Sequence, residues 1–94
     1  MQRITLTQLK HKVSYLNQIT NNPSKAWKQI DGKLIGQIGH YHLAQAYGGY
    51  SLNQTMNEGG GVRDIIRGYR TKREVYEWLD AFIQGIELSQ EQTV

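Results

Sequence analysis

Five basic side chains crowd a short stretch of this chain: Arg63, Arg67, Arg70, Lys72 and Arg73. A run of three glycines, Gly59, Gly60 and Gly61, comes just before them. The chemistry these types suit is anion binding. Guanidinium forks hold phosphate oxygens in pairs, and glycine runs can turn successive N–H groups inward on an anion. Arg70, Lys72 and Arg73 also fall at the start of an expected helix, where the macrodipole is positive. Cations there cost the helix roughly 0.3–1 kcal/mol each. A bound phosphate would reverse that sign. The competing reading is that the arginines only pair with Asp64, Glu74 and Glu77, as surface charges often do. The glycine run is not a P-loop, since the lysine-and-hydroxyl signature is missing.

A second group precedes the glycines, in "GHYHLAQAYGGYSLNQTMN". Placing Gly48-Gly49 at the centre of a two-residue hairpin loop, where positive φ is needed, pairs Tyr47 with Tyr50, Gln45 with Leu52, Leu43 with Gln54 and Tyr41 with Met56. One face then carries the bulky groups. The other carries His40, His42, Ser51, Asn53, Thr55 and Asn57 beside two alanines. The alternative is a plain solvated face. Amides, imidazoles and hydroxyls are unusual there, however, and they supply donors and acceptors for a ligand. Tyr47 and Tyr50 border the tip, and their flat rings suit a nucleobase or sugar. The base- or sugar-binding candidates are therefore His40, His42, Tyr47, Tyr50, Ser51, Asn53 and Asn57. The phosphate-binding candidates are Arg63, Arg67, Arg70, Lys72, Arg73 and Gly59–Gly61.

Catalytic readings are weak. His40-x-His42 resembles half of a metal site but lacks a third ligand at diagnostic spacing. No nucleophile, base and orienter can be assembled around Ser51, and Asp64 with Glu58 fixes no carboxylate separation. We expect a non-enzymatic chain with no catalytic residues, no metal and no cofactor.

The elements that would position these residues are readable locally. Thr5 and Gln8 form a capping box, with Ile4 and Leu9 at the staple positions. Leu6, Leu9, Val13 and Leu16 give a buried helical stripe. Lys10, His11, Lys12, Asn17 and Gln18 fall on the wet side, and "TNNP" ends the helix. Asp31-Gly32 marks a short hairpin between Trp27–Ile30 and Lys33–Ile38, with one helical turn over 24–29 as the alternative. Val62–Ile66 reads as a strand or a helical turn. Thr71 and Glu74 make a second capping box. Val75, Trp78, Leu79, Phe82, Ile83 and Ile86 then follow a helical period. The expected fold is α+β: a small antiparallel sheet of 3–4 strands, with N- and C-terminal helices packed on one face. It fills one domain over 1–88, and 89–94 is expected to be a frayed polar tail.

The 94 residues leave room for one core, and 38% hydrophobic content makes it small. Eleven basic against eight acidic residues give +3, which is weak support for nucleic acid. Without cysteine there are no disulfides or thiolate metal sites. No apolar run suggests a signal peptide or a membrane span.

The segment "GHYHLAQAYGGYSLNQTMNEGGGVRDII" with "KREVYEWLDAFIQGIE" resembles a group of small phage and prophage proteins of unassigned function. The shared features are Tyr41, Leu43, the Tyr47–Tyr50 turn, Leu52, Asn57, Gly59–Gly61 and the helix over Lys72–Gly85. The resemblance implies a compact accessory protein, cytoplasmic in an infected bacterial cell, of a class that often acts on host defences. The helix–strands–helix order is also topologically similar to double-stranded RNA-binding domains, but their longer basic helix start and Gly-Pro-His loop are absent.

Together these readings point to a binder of a small phosphorylated ligand, most naturally a nucleotide. In a phage setting it would be a sponge that sequesters an immune nucleotide signal. A nucleic-acid-binding domain and a protein-interaction inhibitor of a host factor are the alternatives. Small chains rarely enclose a nucleotide alone, so a homo-oligomer is expected.

Overall fold

The computed structural model describes residues 3–92. The elements run α1 (Leu6–Ile19), β1 (Trp27–Ile30), β2 (Lys33–Gly36), β3 (Tyr41–Ala46), β4 (Gly49–Thr55), β5 (Val62–Asp64) and α2 (Lys72–Gln92). The fold is α+β, as the alternation and capping signals indicate. The strands divide into two antiparallel sheets, β1-β2 and β3-β4-β5, in place of the single sheet expected.

Both helices start where their capping boxes predict. At α1, Gln8 N donates to Thr5 Oγ1 and Thr5 N to Gln8 Oε1. At α2, Glu74 N donates to Thr71 Oγ1 and Thr71 N to Glu74 Oε1. These reciprocal bonds use donors that the helix itself leaves unpaired. The polar segment from residue 89 lies within the span of α2 as far as Gln92. It continues α2, and Gln90 Nε2 donates to Ile19 O at 2.7 Å. The last two tail positions, 93 and 94, lie outside the described residues.

The helices run in the same direction. Lys12 Nζ meets Asp80 at 2.8 Å, Tyr15 donates to Glu87, and Ile19 accepts from Gln90, in ascending order along both. Their apolar stripes close on one face of the three-stranded sheet. Leu9, Val13 and Leu16 from α1 and Val75, Leu79 and Ile83 from α2 bury against Tyr41, Leu52 and Ile66. Asn17, expected on the wet side, is only 3% exposed. Its carboxamide donates to Tyr41 O at 3.0 Å and accepts from Tyr41 N at 2.8 Å. It pairs with the outer edge of β3 as a neighbouring strand would.

The β3–β4 hairpin turns one residue earlier than its glycines suggest. Ala46 pairs with Gly49, Gln45 with Tyr50 and Leu43 with Leu52. The loop is therefore Tyr47-Gly48, with φ of +54° and +74°, the two positive values of a type I′ turn. Moving the loop by one residue slides each pair by two. Strand faces repeat every two residues, so the expected partition into a helix face and an outer face survives. Gly49 is used differently: a Cβ there would lie 2.9 Å from Tyr69 Cβ and 3.2 Å from Arg70 N. A glycine lets the segment after β5 run tight against β4.

The Asp31-Gly32 turn forms as expected, both residues having positive φ. The β1–β2 hairpin is docked by main-chain bonds at its base, including Gly36 N to Glu58 O at 2.7 Å. The Trp27 ring also covers Gly60, which has φ +91° and no room for a side chain.

Candidate functional site

Between β5 and α2 the chain forms a strap over residues 65–70. Ile65 N and Ile66 N both donate to Leu52 O, and Ser51 Oγ donates to Ile66 O at 2.7 Å. At the other end Tyr50 and Arg70 exchange two main-chain bonds of 2.8 and 2.7 Å. The strap is fixed at both ends, so Arg67 and Arg70 are presented from a defined backbone. Val62–Ile66 is thus a short strand, Val62–Asp64, that leads into this strap.

The strap and the first turns of α2 form an open cavity of about 540 Å³, lined by Ile65, Ile66, Arg67, Arg70, Glu74, Glu77 and Trp78. Apolar Ile65, Ile66 and Trp78 line it together with Arg67 and Arg70. Arg70 reaches Glu74 at only 4.0 Å, and both side chains are more than half exposed. So exposed and so long a pair contributes little. The Glu74 carboxyl is held below its ordinary value by the Thr71 backbone and hydroxyl bonds, with Arg70 adding to them. Arg73 pairs with Glu77 at 4.0 Å.

The structure sorts the basic cluster. Arg67 and Arg70 share this cavity. Lys72 turns to the Tyr50 ring, 5.9 Å from its centroid. Arg63 lies on β5 and donates twice to Gln54 Oε1, at 2.9 and 3.2 Å. The glycine run does not line this cavity, and Gly60 lies under the Trp27 ring. Gly61 N donates to Asn57 Oδ1 and Gly60 N to Asn57 O, so these two N–H groups are already committed. This accounts for Gly60, Gly61 and Asn57 by folding.

The outer face of the hairpin is mostly occupied as well. Ser51 and Thr55 are each 3% exposed. The Asn53 amide, oriented with Nδ2 toward Asp64, donates to Asp64 Oδ1 at 3.1 Å. His40 is buried with Nδ1 2.8 Å from Pro23 O, and its ring stacks on His42 at 5.6 Å. Burial pushes the His42 imidazole below its ordinary value, and neighbouring His40 adds to this. A group whose protonation is opposed by folding destabilises the native state as it titrates. Stability should therefore be intact above pH 6.5, the unfolded value, and fall as pH drops from there toward the lowered native value. Urea unfolding at pH 7 and pH 5 checks this: His42→Gln should lose less stability between the two than the wild type.

Two further aromatic residues, Tyr69 and Trp78, belong to the site region. Tyr69 stands edge-on to Tyr47 at 5.7 Å, and Tyr47 is 96% exposed. Tyr69 is flanked by the cluster in "RGYR", which was a usable signal. Trp78 was read only as part of the buried stripe. It is half-buried, and its ring packs at 4.8 Å from Phe82 while also lining the cavity.

A second open cavity of about 500 Å³ lies between the helices, where Lys12 pairs with Asp80 and Tyr15 with Glu87. Among the described residues no three His, Asp or Glu side chains are placed to hold a metal. No helix among them is long and apolar enough to cross a membrane. The site and fold together define a small α+β protein with an arginine- and aromatic-lined surface cavity. No protein-family model, curated protein or solved structure matches the chain.

Proposed function

We propose that this protein binds a small phosphorylated ligand of the nucleotide type, without catalysing its conversion. The observation that carries the reading is the placement of Arg67 and Arg70 around one cavity with Trp78 and Ile65. Guanidinium groups recognise phosphate, and an apolar, aromatic wall suits a base or ribose. The volume falls within the range of small-molecule sites, about 300–1,000 Å³. Glu74 and Glu77 balance the cations in the free protein, and a phosphate of higher charge competes for Arg70 against a pair held only at 4.0 Å. The tyrosines of the hairpin tip offer further stacking surface nearby in the chain.

With the resemblance to phage accessory proteins, this binding chemistry fits a sponge that sequesters a host immune nucleotide signal in the bacterial cytoplasm. A homo-oligomer fits a cavity this open, because a second protomer would complete its walls.

Arg67→Ala and Arg70→Ala should each weaken a phosphorylated ligand by about 1.5–3 kcal/mol, roughly ten- to a hundredfold, if the contact is charge-assisted. Isothermal titration of each variant with the ligand bound by the wild type checks this, and unchanged affinity in both would place the site elsewhere. Binding of DNA or RNA with steep salt dependence and indifference to mononucleotides would favour the nucleic-acid reading instead.

A further inference from the structure

We propose that the outer edge of β3 is a self-association surface, on which a second copy of the chain adds its own β3 antiparallel to form one continuous sheet. β3 ends the order β3-β4-β5, so one of its edges has no neighbouring strand. Asn17 meets Tyr41 N and O from that side. Main-chain groups alternate along a strand, so the N–H and C=O of Leu43 and Gln45 point the same way. Among the described residues no strand lies there to receive them. A cavity of about 250 Å³ separates this edge from α1, between Val13, Ser14 and Leu43. The helix therefore leaves the edge uncovered beyond Asn17.

Exposed edges are normally guarded by charge, proline, brevity or bulges. The opposite edge of the sheet follows that rule: β5 has three residues, including Arg63 and Asp64. β3 does not. Its sequence "YHLAQA" has no Lys, Arg, Asp, Glu or Pro. It is also complementary to itself. About a two-fold axis at Ala44, Leu43 pairs with Gln45 of the second copy and Gln45 with its Leu43. Both residues have outward main-chain groups, so both pairs are hydrogen-bonded. Ala44 then faces its own copy at the closer, non-bonded spacing, where a small side chain fits, and no charge meets its like.

This edge lies across the sheet from the strap cavity, so the proposal does not depend on a protomer completing that cavity, and it is tested without a ligand. The mass in solution is measured by size-exclusion chromatography with light scattering, for the wild type and Gln45→Pro. Proline removes an N–H that points away from β4, so the hairpin ladder is kept while the new edge is blocked. We expect at least a dimer for the wild type and a smaller assembly for the variant, with unchanged circular dichroism. A monomeric wild type overturns the proposal, as does an undiminished mass in a folded Gln45→Pro. Amide exchange on the wild type covers the case in which the variant misfolds. Leu43 and Gln45 amides should exchange at least roughly tenfold slower than exposed strand-edge amides. Fast exchange in an oligomer would place its interface elsewhere.

Discussion

Gly49→Val is expected to destabilise this protein by about 3 kcal/mol or more. A Cβ at this position lies 2.9 Å from Tyr69 Cβ, 3.1 Å from Tyr69 C and 3.2 Å from Arg70 N. Two of these are main-chain atoms and cannot rotate away. The strap must lift off β4, and the paired bonds between Tyr50 and Arg70 are lost. Overpacking costs typically 1–3 kcal/mol, and two main-chain bonds add about 1 kcal/mol each. For a domain of this size each kcal/mol lowers Tm by about 4–8 °C, so thermal melting by circular dichroism reads the effect easily. The cause is close approach. The left-handed φ that a Gly48-Gly49 loop would require of Gly49 falls on Tyr47 and Gly48 instead. The same variant displaces Arg67 and Arg70, so ligand affinity should fall with stability. A melting temperature within a few degrees of wild type would contradict the strap geometry.

Asn17→Ala is the other large expected loss, about 2–4 kcal/mol. Its carboxamide is buried and satisfies both main-chain groups of Tyr41. Removing it leaves a donor and an acceptor unpaired, at about 1–3 kcal/mol for each buried group. Asn17→Asp should recover little, because it keeps the acceptor for Tyr41 N but sets a carboxylate against Tyr41 O. Urea denaturation separates the outcomes. A cost below about 1 kcal/mol for the alanine variant would mean that water replaces the amide at the β3 edge.

The contrast between these residues marks what the sequence makes legible. Thr5 with Gln8 and Thr71 with Glu74 are local patterns, complete within four residues, and both helices begin there. The two faces of the β3–β4 hairpin were legible because alternation survives an error in the loop. The loop itself was not, because Tyr47 takes a positive φ that chain-local preference assigns to glycine. Asn17 looked solvated because its partner, Tyr41, is distant in sequence. Ser51 and His40 looked available for the same reason: Ile66 O and Pro23 O, which engage them, are set by the tertiary fold. Of the candidate site, the sequence offered the arginine cluster. Only the path of the strap separates Arg67 and Arg70, which share a cavity, from Arg63 and Lys72, which turn to Gln54 and Tyr50. Trp78 carries a double role that helical periodicity assigns wholly to the core.

In the proposed function, Arg67 and Arg70 grip a phosphorylated ligand in the cavity walled by Ile65 and Trp78. Calorimetric titration of cyclic dinucleotides and ADP-ribose derivatives into the wild type and into Arg67→Ala/Arg70→Ala tests it most directly. Saturable heat is expected from at least one of these compounds with the wild type, and none from it with the folded double variant. No heat from any member of the panel at high protein concentration, or equal affinity in both proteins, would contradict it.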